Sequence, residues 1–248
     1  MGFTSLDWVV IAACATMTGF SKTGIPGVGI VAVPLIAMIM PARQSTGFLL
    51  PMLILADVVA IFYWRRHVHW RSLGRLLPWT WVGIALGYIC LLWVTDDELK
   101  PIIGLIVLIL IAGAWIRERT VPPDRVPTHW AFAACAGVLA GATSMMANAA
   151  GPIMTLYLLA MRFDKERFIG TQAWLFWALN LSKLPLSGRL GLVTARSLQA
   201  NLLVLPAIAA GGLLGIALVH RIPQKAFDVV VRITAIVAAA YLCVSYWL

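Results

Sequence analysis

Gly19-Phe20-Ser21-Lys22-Thr23-Gly24-Ile25-Pro26-Gly27-Val28-Gly29 lies in the middle of the apolar stretch 7–40, and its reading decides the fold. A helix needs about 20 apolar residues to cross the roughly 30 Å hydrocarbon core of a bilayer. Residues 7–40 exceed one crossing. Proline removes a backbone donor and glycine loosens a helix, so the stretch is expected to break at Ser21 to Gly27. A second overlong stretch, 129–161, is interrupted in the same way from Ser144 through Pro152. Six further stretches are single uninterrupted spans: 47–64, 73–94, 99–116, 168–187, 198–219 and 226–247.

The composition leaves lipid as the solvent. The chain is 61% hydrophobic and 12% charged, with a mean hydropathy of +0.91, against roughly 45–50% and about 25% for soluble domains. A net charge of +9 would suit nucleic acid, but the Lys and Arg residues sit in short segments between apolar runs. That is the bias of a multi-pass inner-membrane protein, so nucleic acid is not expected as a partner. Cys14, Cys90, Cys135 and Cys243 lie inside apolar stretches without CxxC spacing and read as small packing residues. With Asp7 and no Lys or Arg before Lys22, the N-terminus lacks the positive region of a cleaved signal peptide.

The order of features repeats: a broken segment, a charged loop and three ordinary helices, twice. Gly47 aligned with Gly170 sets Asp57 opposite Asn180, and Arg71-Ser72-Leu73 falls opposite Arg196-Ser197-Leu198. Gly83 and Gly87 answer to Gly211 and Gly215. The expected fold is an all-α polytopic membrane protein of two pseudo-symmetric repeats, 1–120 and 121–248, joined by the linker Val121 to Thr128. If each broken segment is a re-entrant hairpin, each half makes three crossings and the halves are inverted. One face then carries Arg65, Arg66, Arg71, Arg75, Arg117, Arg119, Arg125, Arg162, Lys165, Arg167, Arg221 and Lys225, and the other only Arg43, Lys100, Arg189 and Arg196. If each broken segment crosses once, the split is nearly even, so the inverted arrangement is preferred. The glycine pairs permit close helix contact, within one chain or in a homodimer.

Ionisable residues at bilayer depth are costly and mark function. Lys22, Asp57, Lys183 and Arg232 stand out, Arg232 as a side chain that snorkels to the interface. The breaks suit an anion, because an interrupted helix presents free N–H groups at the positive end of its dipole. Ser21, Lys22, Thr23, Gly24 and Gly27 would form a donor-rich nest in the first break, faced by Ser144, Asn148 and Gly151 from the second. Two such ends meeting near the midplane is the plan of inverted-repeat transporters. No carboxylate cluster lies in either break, which counts against a cation site. Asp57 either neutralises a lysine in the empty site or carries a coupling proton. Gln172, Trp174, Trp177, Asn180 and Lys183 are further candidates for the lining, while Trp64, Trp70, Trp93 and Trp130 read as interfacial anchors. Neither a Walker loop nor a dinucleotide fingerprint is present, and His67 and His69 are not spaced for a helical metal site. No cofactor and no metal are implied, and no nucleophile–base pair points to an enzyme.

These residues resemble a known family. Gly19 to Gly24 with Pro26, Gly27, Gly29 and Pro34 is similar to the opening signature of the sulfite exporter TauE/SafE family. Leu50-Pro51 with Asp57, the stretch Tyr63 to Trp70, and Asn180, Lys183, Pro185 and Gly188 extend the resemblance through nearly the whole chain. It implies a permease that moves sulfite, organosulfonates or related sulfur oxyanions, usually outward. The rivals are a proton-coupled importer of a neutral solute, with Asp57 as the proton site, and an anion channel.

Overall fold

A computed structural model describes residues 3–93 and 129–244, and the described residues are helical throughout with no strand. The predicted span 99–116, the linker Val121 to Thr128 and the acidic loop Asp96-Asp97-Glu98 lie outside the described residues. Helix α1 spans Ser5–Thr23, α2 Ala32–Ala37, α3 Ala42–Trp64 and α4 Trp70–Trp93. After the undescribed segment come α5 Trp130–Ala147, α6 Gly151–Ala160, α7 Lys165–Arg189, α8 Ala195–Leu203, α9 Leu205–Arg221 and α10 Gln224–Val244. Two stretches among the described residues, Gln44–His67 and Trp70–Trp93, are long and apolar enough to cross a membrane, and α8 with α9 makes a third, bent, candidate. The chain is therefore a helical protein with candidate membrane spans.

Both overlong stretches break where the sequence predicts, and the chain then doubles back. α1 starts on a capping box, with Asp7 N–H donating to Thr4 Oγ1 and Thr4 N–H to Asp7 Oδ2. It ends at Gly24, and Gly27 takes φ +97°, a left-handed conformation that glycine adopts without strain. The chain returns through a 3₁₀ turn, Val28–Val31, and α2: Gly29 lies against Ser21 and Thr18, and Ala32 accepts from the Cys14 thiol. α3 then runs alongside α1 in the same direction, since Thr18 meets Met52, Lys22 meets Asp57, and Thr23 meets Trp64. The second break repeats the manoeuvre. Asn148, at φ 54°, caps α5, and Gly151-Pro152 opens α6, where a missing N–H costs nothing. α6 returns along α5, with Tyr157 stacked on Phe132.

Small residues set the two closest helix contacts. Gly83 and Gly87 of α4 lie against the backbone of Val138 and Ala142 on α5, while Gly141 of α5 lies against Thr80. Gly211 and Gly215 of α9 lie against the backbone of Thr16 and Phe20 on α1, while Gly19 of α1 lies against Ile208. A Cβ at any of these glycines would run into a carbonyl, so the backbones touch directly. Contact within one chain thus accounts for both glycine pairs. α3 and α7 also pack together, but in opposite directions: Gly47 meets Leu192, Asp57 meets Asn180, and Trp64 meets Gly170.

Three expectations need correction. The stretch 198–219 is two helices, α8 and α9, bent by 51° at Val204. Pro206 has no N–H for the Leu202 carbonyl, so the helix cannot run through. α7 is long enough to span but falls short on apolarity, because its polar side chains Gln172, Asn180, Lys183 and Ser187 face the protein interior. Trp64 is not an interfacial anchor: it is buried, and its indole N–H donates to the Thr23 carbonyl at 3.1 Å, tying α3 to the end of α1. Trp70, Trp93 and Trp130 are exposed, as anchors would be, and Arg232 is exposed on α10.

Candidate functional site

The two breaks and the inner face of α7, with α2 and α3, line a partly open cavity of about 80 Å³. A single water requires roughly 10–15 Å³ of such space, so there is room for several waters or a small anion. The first hairpin contributes Ser21, Lys22 and Gly27 to its wall, and the second contributes Ser144, Asn148 and Gly151. Gln172, Phe176 and Asn180 project from α7, at the four-residue spacing that stacks side chains on one helical face.

Lys22 occupies the last turn of α1, one residue before the break. Its ammonium pairs with Asp57 Oδ1 at 2.8 Å and sits 4.0 Å from the centroid of the Phe176 ring. Asp57 is fully buried, and its second oxygen accepts from Asn180 Nδ2 at 2.8 Å. The carboxylate is therefore met from both halves of the chain, by the Lys22 ammonium in an ion pair and by the Asn180 amide through a hydrogen bond. Of the alternatives open for Asp57, pairing with Lys22 is the one this geometry realises.

Lys183 stands behind the cavity wall, 2% exposed. Its ammonium donates to Ser144 O at 3.0 Å, Ser144 Oγ at 2.8 Å and Asn148 Oδ1 at 2.7 Å. Three N–H groups meet three oxygens, all of them uncharged. Asn148 in turn donates through Nδ2 to the Thr46 carbonyl at 3.1 Å, which links the second break to the start of α3. The lysine amine is thus held within one hydrogen bond of the cavity surface without a carboxylate of its own.

Not every candidate reaches the cavity. The Thr23 hydroxyl donates to the carbonyls of Gly19 and Gly212, at 3.1 and 2.7 Å, and so serves the α1–α9 contact. Gly24 likewise faces Gly215, and its N–H is already given to the Phe20 carbonyl. Neither supplies the nest expected of it, because the last turn of α1 presents one face to the cavity and the opposite face to α9. Trp174 and Trp177 pack on each other, with Trp174 also against Trp70, away from the cavity. Phe176 went unrecognised in the sequence, although its place between Gln172 and Asn180 on one face was there to be read.

Gln172 is the remaining oddity. It is 6% exposed, lines the cavity, and its Oε1 has no hydrogen-bond partner. A buried polar atom left unpaired costs about 1–3 kcal/mol.

A family model described as Sulfite exporter TauE/SafE matches residues 11–242. The chain belongs to the TauE/SafE sulfite exporter family. No curated protein and no solved structure matches it. As a TauE/SafE protein it is a multi-pass membrane transporter of sulfur compounds, not an enzyme. The match runs through both breaks and all three charged residues around the cavity.

Proposed function

We propose that this TauE/SafE chain is a secondary transporter of the inner membrane that exports a small sulfur oxyanion, sulfite or an organosulfonate, through the cavity between the two breaks. One observation carries the reading: the amine of the buried Lys183 stands beside a small cavity with only neutral oxygens around it. An uncompensated buried charge is expensive, and an anion arriving at Ser144 and Asn148 relieves that cost. Ser21, Lys22, Asn180 and Gln172 would complete the site, together with the first-turn amides of α6 at Gly151. Asp57 is the group to which a coupling proton would go, since protonating it releases Lys22 toward the substrate.

Two inverted halves, 1–120 and 121–248, would alternate access to this site. Three features support the inversion. The matched helices α3 and α7 run antiparallel across the Asp57–Asn180 contact. Each broken segment doubles back, as a re-entrant hairpin does. The glycine contacts are reciprocal, α9 on α1 and α4 on α5, which is the pattern a two-fold axis produces.

The test is flux in proteoliposomes with an imposed membrane potential. Sulfite should be concentrated against its gradient by wild type and not by Lys183→Met. Passive equilibration only would make the protein a channel, and no sulfite or sulfonate flux at all would remove the proposal.

A further inference from the structure

Away from the cavity, the starts of α4 and α7 bring three arginines together. Arg71 and Arg75 stand one turn apart at the start of α4, and Arg167 lies in the first turn of α7. The two helix starts are fastened to each other: His69 N–H donates to Thr171 Oγ1 at 2.9 Å, and Thr171 is one turn on from Arg167. Phe163, in the loop before α7, packs its ring on the His69 imidazole at 4.9 Å. The three arginines surround that imidazole; burial first, and then Arg167, Arg71 and Arg75, oppose a positive charge on it. All three are exposed, and among the described residues none is paired with a carboxylate. The neighbouring acids leave them charged: Asp164 Oδ1 accepts the Arg167 backbone N–H as the cap of α7, and Glu166 forms no ion pair among the described residues.

A gap between the two helices starts at this cluster. α4 and α7 run in the same direction and touch through tryptophan at two levels. Trp70 lies on Trp174 at 5.3 Å, and Trp81 donates its indole N–H to Ser182 Oγ at 3.0 Å. Between those levels, the stripe of α4 that carries both tryptophans continues through Gly74 and Leu77 at helical spacing. Gly74 is exposed, and a side chain there would meet nothing within 4 Å. The notch opens beside Arg75 and leads toward Trp81, about 10 Å further along the helix. Trp70 and Trp81 are 59% and 51% exposed, so both ends of the gap face the surroundings of the protein.

We propose that Arg71, Arg75 and Arg167 hold the phosphate of an anionic phospholipid, with an acyl chain entering the gap at Gly74 between the two tryptophan contacts. α4 is long and apolar enough to cross a membrane, so arginines in its first turns stand where lipid headgroups lie. A phosphodiester there supplies the acceptor for a guanidinium fork that no carboxylate of the described chain supplies. Both helices turn their N-terminal, positive ends to the same place, which adds to its attraction for an anion. The exposed Trp70 beside the arginines selects a lipid over a soluble anion, since tryptophan at a span's end settles at the interface. A basic face attracts anionic lipid in any case; here three guanidinium groups from two helices share one point above a gap of open space. Such a lipid would staple α4, from before the linker, to α7, from after it. None of these residues lines the cavity, so the proposal is independent of the substrate.

The test is native mass spectrometry of the full chain, released from detergent micelles that hold equal amounts of dioleoylphosphatidylglycerol and dioleoylphosphatidylcholine, with thermal unfolding of the same samples. Wild type should retain phosphatidylglycerol in preference to phosphatidylcholine. Two variants each remove two charges from the same face: Arg71→Gln/Arg75→Gln within the cluster, and Arg65→Gln/Arg66→Gln in the turn that ends α3. An arginine near an anionic headgroup is worth about fivefold in affinity, so the cluster variant should lose about tenfold or more in retention. The Arg65/Arg66 variant should lose far less. Gly74→Leu keeps every arginine and fills the notch; it should weaken retention and leave the melting temperature of the lipid-free protein unchanged. Equal retention of the two lipids by wild type, or equal loss in the two charge variants, would overturn the proposal and reduce the arginines to a general surface charge. Glycerol 3-phosphate that stabilises wild type as well as phosphatidylglycerol does would overturn it in favour of a soluble anion. If Arg71→Gln/Arg75→Gln does not fold, Arg167→Gln and Gly74→Leu decide, and wild-type retention in both would overturn it.

Discussion

Replacing Lys183 by methionine separates a charge kept for a ligand from a charge kept for the fold. An anion hydrogen-bonded to Ser144 or Asn148 would sit one further bond from an ammonium that is itself 2.7–2.8 Å from those side chains. That separation is about 5–6 Å, so at an effective dielectric of about 20 the attraction is worth on the order of 3 kcal/mol. Anion affinity should therefore fall about a hundredfold in Lys183→Met. Stability should move far less. Three hydrogen bonds are lost, but the Ser144 carbonyl still accepts from the Asn148 N–H at 3.0 Å, and both residues line the cavity. The lysine's own desolvation penalty of several kcal/mol disappears, and Lys22 with Asp57 remains a neutral pair. The net change should lie within about 2 kcal/mol of zero, or about 5 °C in Tm. The assay is calorimetric titration with sulfite beside thermal unfolding of the same preparations. Wild-type affinity in Lys183→Met would refute the placement of the charge. Melting lower by tens of degrees would show that the lysine holds the fold instead.

Lys22→Met should behave in the opposite way, since it strands the buried Asp57 carboxylate with Asn180 alone: a loss of about 3–5 kcal/mol is expected, largely restored in Lys22→Met/Asp57→Asn, as read by thermal unfolding. Gly211→Ala should cost about 1–3 kcal/mol because the new methyl meets the Thr16 carbonyl, whereas Gly188→Ala, with open space at that point, should be neutral or gain a few tenths of a kcal/mol. Cysteine tags at Arg66 and Arg167, both exposed, should react from the same side of the membrane in an inverted pair, and labelling from opposite sides would restore a parallel duplication. His69, in the loop before α4, accepts the Ser72 N–H at 3.3 Å; burial first, then Arg167, Arg71 and Arg75, hold its pKa below the usual imidazole value. The folded protein therefore resists protonation more than the unfolded chain does, so this contribution is full above about pH 6.5 and lost as the pH falls below it. Unfolding temperature should drop between pH 7.5 and 5.5 in wild type and drop less in His69→Asn.

Much of this protein could be read from its residues in order. Apolar runs of bilayer length leave lipid as the only solvent, and Gly-Pro clusters break a helix wherever it is placed, because a missing N–H is a local defect. Both breaks, the matched Asp57 and Asn180, and the expectation of an anion followed from such local rules. Tertiary structure decided which faces meet. Lys22 and Thr23 are adjacent, yet one turns to the cavity and the other to α9, since successive side chains on a helix point about 100° apart. Trp64 became a buried staple and not an interfacial anchor because α3 settles against the end of α1. The ion pair Lys22–Asp57 and the neutral cage around Lys183 join residues 35 and 39 positions apart. No periodicity specifies those partners. They depend on the crossing of whole helices, which close contacts such as Gly211 on Thr16 and Gly83 on Val138 determine. The cavity itself, lined from both breaks and from α7, exists only once those helices have met.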